Sequence, residues 1–285
     1  METYPRIDIT AWTQVGEGGN GKTYENRDNP DILLKVNRDT MNDEATVRRE
    51  LEFSQHVAAL GLPTPRMYDM VLVGDNYGQT FERIKGKRSL SRICADFPQR
   101  LGEAAALLAN EGRKLHATQC DTSFFPSVKQ RALTALETND FVSADDKQKL
   151  RTLIEGVADE TTCVHGDFHS GNLIVSGDNR PYWIDLGWFG HGSYMFDLGH
   201  MYLLCNIYSQ FEGMRNIFHM TREQLLAFWD EFAKTYTGQA DHSALDAEAA
   251  RFAPVDVVIL SYLNPRPQAV PVFAHVIHTM VEQHY

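Results

Sequence analysis

The sequence predicts an α+β fold in two lobes: a small lobe of strands with one helix up to residue 84, and a mostly helical lobe from 90 to 285. Three observations predict it. Short apolar runs separated by Gly, Asn and Asp fill the first 84 residues. KGKRS (85–89) is a polar connector. Beyond it the composition turns to Ala and Leu at helical spacing, interrupted only by short apolar runs around glycines at 163–175 and 181–186.

Each element follows from its own pattern. Ile7, Ile9, Ala11 and Val15 alternate and suggest a first strand, and ILLKV (32–36) is an apolar, β-branched strand. The next apolar positions shift to helical period: Val47, Leu51 and Ala58 share a face, with Phe53, Val57 and Leu60 beside it. Asn42 or Asp43 caps that helix, and Gly61 with Pro63 ends it. MYDMVLVG (67–74) and YGQTFERI (77–84) read as two strands around a Gly-Asp-Asn turn. Helices are expected at 99–118, 127–137 and 144–157, and over most of 194–285.

Composition bounds the function. The 285 residues leave room for one large domain or two lobes with an ample core. Lys and Arg number 27 against 38 Asp and Glu, a net charge of −11 that repels nucleic acid phosphates, with no basic cluster to offset it. Cys94, Cys120, Cys163 and Cys205 form no C-x-x-C pair, which suggests free thiols in a reducing compartment. The N-terminal METYPRIDIT lacks a signal-peptide core, and no apolar run nears the ~20 residues that span a bilayer. The expectation is a cytoplasmic protein without nucleic acid or membrane partners; the oligomeric state is open.

GEGGNGKT (16–23) carries two phosphate-binding patterns at once. It satisfies G-x-x-x-x-G-K-[ST], a Walker A loop, and, through Gly16, Gly18 and Gly21, G-x-G-x-x-G, a flap over a nucleotide. A Walker A loop runs into a helix whose N-terminus binds phosphate. Here Asn29-Pro30-Asp31 follows within a few residues and then a strand, so strand, loop, strand is the context. That favours the flap, and a plain glycine turn satisfies the same string.

The most informative stretch is HGDFHSGNLIV (165–175), in which His165, Asp167 and Asn172 fit H-x-D-x-x-x-x-N. In phosphoryl transfer the Asp accepts the proton of the attacking hydroxyl and the Asn ligates Mg²⁺. YWIDLG (182–187) sets Asp185 at the end of a short apolar strand before Gly187, the form of a metal-binding D-F-G with Leu186 at the Phe position. Lys35, in the middle of an apolar strand, needs a partner for its charge, and Glu50 on the helix is the best placed, ahead of Glu44. His165 and His169, four apart around Asp167, have zinc-like spacing, but Gly166 and Gly171 argue against the helix such a pair wants. Asp197 reads as a buttress of the loop or a helix cap, and the aromatic residues of 201–236 as helical core.

In these residues the sequence resembles the aminoglycoside phosphotransferase and choline kinase family, the small-molecule branch of the protein-kinase-like fold. HGDFHSGN is close to its catalytic loop H-G-D-x-H-x-x-N, IDLG to its metal-binding motif, and FDLGH (196–200) to the segment that follows, over roughly 15–200. The resemblance implies a bilobal kinase-like fold and transfer of the γ-phosphoryl of ATP, with Mg²⁺, to a hydroxyl of a small molecule: an aminoglycoside, an amino alcohol or a sugar. It implies Asp167 as base, Asn172 and Asp185 as Mg²⁺ ligands, Lys35 with Glu50 as the ATP anchor, and 82–84, with Glu82 and Ile84, as the hinge at the adenine. Trp188-Phe189-Gly190-His191 is bulkier than the family pattern and bears on the acceptor site. The alternative is a nucleotide-binding regulator without turnover, against which stand Lys35, Asp167, Asn172 and Asp185, all present.

Overall fold

The chain begins with a twisted antiparallel sheet whose alternating side chains make one face of a cavity. The computed structural model describes residues 4–18, 21–37, 42–263 and 265–285. Two compact units emerge: Met1–Arg88 with Ile174–Gly187, and Ser89–Leu173 with Trp188–Tyr285.

In the first unit β1 (Trp12–Gly18), β2 (Gly21–Asn26), β3 (Ile32–Asn37), β4 (Met67–Val73) and β5 (Asn76–Glu82) form one sheet in the order β1-β2-β3-β5-β4. Every neighbouring pair is antiparallel. The helix α1 (Glu44–Ala59) is capped by Asp43, whose carboxylate accepts from Thr46 N–H at 2.9 Å. Asn42, the other cap considered, instead ties two segments together, donating to the carbonyls of Asn37 and Tyr77. Val47 and Leu51 pack with Met70 of β4 into a small core that Tyr4, Met67 and Tyr77 border. Ala58 does not join that face; it is exposed in the last turn.

The strand expected from Ile7 onward starts later. Ile9–Ala11 is a turn of 3₁₀ helix, held by Asp8, which accepts from Thr10 N–H at 2.9 Å, and Val15 of β1 is 49% exposed. β1 is an edge strand, with a neighbouring strand on one side only.

A second, three-stranded sheet of β6 (Arg88–Ser89), β8 (Leu173–Val175) and β9 (Pro181–Trp183) completes the first unit. Here the structure departs from the division at 84 and 90, because Ile174–Gly187 belongs with the N-terminal unit. Backbone bonds explain it: Gly177 N–H donates to Lys85 O at 2.9 Å and Trp183 N–H to Pro63 O at 2.8 Å.

The second unit is helical: α2 (Leu90–Asp96), α3 (Leu101–Ala117), α4 (Val128–Thr138), α5 (Ala144–Gly156), α6 (Met195–Tyr202), α7 (Glu212–Phe218), α8 (Arg222–Thr237), α9 (Ser243–Leu263) and α10 (Val270–His284). A two-stranded ribbon pairs β7 (Cys163–Val164) with β10 (Gly190–His191). α3 packs on α8, and α9 packs on α4, α6 and α10. Phe125, Phe168, Phe189, Phe228 and Phe232 fill the core. α2 is an addition to the expected elements; it is short and depends on Ser89, whose hydroxyl caps it at Arg92 N–H. All four cysteines are free thiols.

Candidate active site

In the first unit the strand pleat sorts the glycine-loop residues. Thr23 of β2, Lys35 of β3 and Gln79 of β5 stand in one cross-strand row. With Gly21, Glu50, Met67, Phe81, Lys87 and Asp185 they line a cavity of about 300 Å³. Successive side chains on a strand point to opposite faces. Lys22 therefore points away from the face that Thr23 presents, and it is exposed. The described ends of the loop form a hairpin, with Gly18 opposite Gly21 and Glu17 opposite Lys22, and no helix follows. The tip, Gly19 and Asn20, lies outside the described residues. Gly21 has a packing reason of its own: a Cβ there would fall 2.3 Å from Val36 O.

Lys35 Nζ lies 2.6 Å from Glu50 Oε1 and 3.7 Å from Asp185 Oδ1. Its side chain is only 14% exposed. Burial alone would lower the lysine pKa; Glu50 and Asp185 more than offset it and hold it above the ordinary value. Asp185 follows β9 at φ +57, a left-handed conformation that an Asp tolerates at a cost. Glu50 is thus the partner of Lys35, while Glu44 is engaged by Tyr4 and Arg48. Gly16 lies in β1, 3.8 Å from Thr23 Cβ measured at a built Cβ. Glu82 and Ile84 do not line the cavity. Glu82 accepts from Arg66 N–H at 3.1 Å, and Ile84 is buried. Of that strand, Gln79 and Phe81 are the residues that reach the cavity. Lys87, read from sequence only as part of a polar connector, lines it as well.

In the second unit the loop after β7 is fixed from beneath. Asp197 of α6 accepts from the backbone N–H groups of His165 at 2.7 Å and Gly166 at 2.8 Å. His116 of α3 holds the same carboxylate, with Nε2 3.0 Å from Asp197 Oδ2, while its Nδ1 meets Tyr236 OH at 2.8 Å. Asp197 is a buttress of the loop. Gly166 is required by its φ of +80 and by Trp188 O, which a Cβ would meet at 2.2 Å. Phe189 is fully buried against Phe125, and Arg131 holds the Trp188 carbonyl at 2.7 Å. The bulky Trp188-Phe189 pair is therefore core and loop support.

On that platform Asn172 spends both amide hydrogens on Asp167, one on Oδ2 at 2.8 Å and one on its carbonyl at 2.8 Å. Asn172 Oδ1 is then the atom left for a cation. His169 and His200 approach Asp167 Oδ1 at 3.5 and 3.2 Å. Burial pushes the Asp167 pKa up, and the two histidines outweigh it and hold it well below the ordinary carboxylate range. Asp167, His169 and His200 bring three ligand-type atoms within 4.8 Å of one another. They do not suit a transition metal, because His169 Nδ1 accepts the N–H of Gly171 at 2.9 Å. Its proton is then on Nε2, the atom a metal would need bare. In the first unit Asp185 offers hard oxygen donors of the kind Mg²⁺ takes, and its side chain is 38% exposed.

Sequence reasoning missed His116, His200 and Asp256 around this loop. His200 stands in the quoted FDLGH, but its partner lies 56 positions on, and no local pattern links them. Among the described residues no helix is long and apolar enough to cross a membrane.

Solved structures share this fold. Aminoglycoside phosphotransferase APH(4)-Ia is similar at 15% identity over 96% of this chain and 94% of its own, with a TM-score of 0.65. The amicoumacin kinase hAmiN, in complex with AMP-PNP, Ca2+ and Ami, is similar at 12% identity over 98% and 90%, with a TM-score of 0.61. Aminoglycoside phosphotransferase APH(2'')-Ib, ADP-bound, is similar at 19% identity over 96% and 94%, with a TM-score of 0.58. Among the curated proteins no sequence matches. The sequence profile of the phosphotransferase enzyme family (APH) matches residues 11–243, and the chain belongs to that family.

Proposed function

We propose that this protein transfers the γ-phosphoryl group of ATP, with Mg²⁺, to a hydroxyl of a small molecule. The observation that carries the reading is Lys35, a buried cation in a cavity, paired to Glu50 and within 3.7 Å of Asp185. A buried lysine with a single structural partner would be an ordinary ion pair. A second, half-exposed carboxylate held at positive φ beside it is what a nucleotide's phosphates and their cation call for.

In this reading Lys35 meets the phosphate oxygens and Glu50 keeps it extended. The backbone of the β1–β2 hairpin, with Gly16, Gly18 and Gly21, covers the phosphates. Asp185 and Asn172 would each offer an oxygen to Mg²⁺, whose charge would offset that of the phosphates. Asp167 takes the proton of the acceptor hydroxyl as its oxygen bonds to the γ-phosphorus; the bond from that phosphorus to the β–γ bridging oxygen breaks and ADP leaves. The chain contributes position and electrostatics and forms no covalent bond of its own.

The experiment is an acceptor screen. ADP formation from Mg²⁺–ATP is followed with panels of aminoglycosides, amino alcohols, sugars and amicoumacin-like compounds, and the product is weighed by mass spectrometry. The reading expects one class to gain a phosphate in step with ADP. ATP that neither binds nor turns over with any acceptor would overturn it.

A further inference from the structure

His200 of α6 and Asp256 of α9 are buried polar residues that the proposed chemistry does not use, at 3% and 6% exposure. Asp256 sits among Val255, Val257 and Val258, all buried. A carboxylate there costs several kcal/mol unless it is paired. Its Oδ2 lies 2.8 Å from His200 Nδ1, and His200 Nε2 lies 3.2 Å from Asp167 Oδ1. The helices come close enough for this because Gly199 has no side chain; a Cβ on it would fall 2.5 Å from Phe252 Cβ.

The protonation state follows from the partners. Asp256 Oδ2 accepts a hydrogen bond from the Nδ1–H of His200. A neutral ring would then leave the buried Nε2 lone pair, which has no hydrogen-bond partner, beside a carboxylate oxygen 3.2 Å away, which is repulsive. A second proton turns that contact into an ion pair. Burial favours the neutral ring, but Asp256 and Asp167 outweigh it, and His200 is held charged well above the ordinary histidine range. His169, whose ring lies 6.0 Å from that of His200 between centroids, is the other titratable group against it.

We propose that His200, oriented by Asp256, is a positioning residue that clamps Asp167 Oδ1 while Asn172 clamps Oδ2. The carboxylate is thereby fixed in rotation, and its side chain stays 32% exposed to receive the acceptor hydroxyl. A neighbouring cation makes Asp167 a weaker base, so what the clamp contributes is orientation, an effect of proximity. The inference rests on the reading of Asp167 as the proton acceptor.

Two measurements test it. The first needs no turnover: nitrogen NMR of the His200 ring in the whole wild-type protein at about pH 8, where an unperturbed histidine is neutral. Both ring nitrogens are expected to carry protons; a neutral ring overturns the inference. The second compares ADP formation from Mg²⁺–ATP and acceptor in His200→Gln, Asp256→Asn, Asp167→Asn and the two double variants with Asp167→Asn, each checked for native folding. The single variants His200→Gln and Asp256→Asn are expected to lose about 10- to 100-fold in kcat with the ATP KM within about two-fold. Neither should slow Asp167→Asn further. Losses that persist in the Asp167→Asn background, or an unchanged kcat, overturn the clamp. Should Asp167→Asn itself turn over like wild type, the base assignment falls; should it be inactive while Asp256→Asn is not slowed, the clamp alone falls. A variant that does not fold leaves the wild-type ring measurement to decide.

Discussion

Two lysines separate the possible meanings of the glycine loop. Lys22 completes the Walker-like string but stands exposed on the outward face of β2. Lys35 is buried with Glu50 at 2.6 Å. Lys35→Ala should therefore lose a charge-assisted contact to ATP, roughly 1.5–3 kcal/mol or about 10- to 150-fold in affinity, while Lys22→Ala keeps most affinity and turnover. Calorimetric titration of ATP into both variants checks this, and the reverse order would make the hairpin a Walker-type loop. Gly166 offers a second residue-level test. A Cβ 2.2 Å from Trp188 O, at a φ of +80, must displace the backbone that carries Asp167. Gly166→Ala is expected to destabilise the fold by roughly 1–3 kcal/mol and to cut turnover more than ATP affinity, as read by thermal melting beside the same titration. Lys35, Asp167, Asn172 and Asp185 were legible in the sequence because each stands in a short string whose chemistry is local. His116, which supports Asp197 from 81 positions away, was not, because only the folded chain brings the two together.

Elements were read as well as their patterns were one-sided. β3 is a short apolar run, β4 and β5 flank a Gly-Asp-Asn turn, and they lie in the interior of the sheet or against α1. The edge strand β1 was placed too early, since Ile7 and Ile9 mimic a strand while Asp8 closes a 3₁₀ turn. The wider winding of Leu203–Ile207, a π-helical stretch after α6, has no sequence signature. Between α8 and α9, His242 bridges Asp230 at 2.9 Å and Asp246 at 3.0 Å, and Trp229 donates to Asp246 at 2.8 Å. Burial lowers the His242 pKa, and the two carboxylates outweigh it and raise it above the ordinary value. A raised folded pKa stabilises fully below the unfolded value, and the gain is lost as pH rises through the folded one. His242→Gln should then cost more stability at about pH 6 than at about pH 9, by about 1 kcal/mol or less as both carboxylates are partly exposed. Denaturant melts at the two pH values measure it, and an equal cost at both would remove the charge from the account.

At the scale of the whole molecule, the chain returns to its first unit with Ile174–Gly187 after entering the second. That return is why Asp185 sits beside Lys35, and it escaped the sequence because a boundary drawn along the chain cannot show a segment that doubles back. The two lobes themselves were legible from the change of composition at 85–89. The proposed metal roles are tested one unit at a time: Asp185→Asn and Asn172→Ala should each weaken the Mg²⁺-dependent part of ATP binding, seen by titrating ATP with and without Mg²⁺. An unchanged Mg²⁺ effect would place the cation elsewhere. The measurement that bears most directly on phosphoryl transfer is turnover of Mg²⁺–ATP with an accepted hydroxyl compound by wild type and Asp167→Ala, at matched ATP occupancy. The account predicts that the variant binds ATP nearly as wild type does and transfers phosphate on the order of 10²- to 10⁴-fold more slowly. A variant that transfers at the wild-type rate would contradict it.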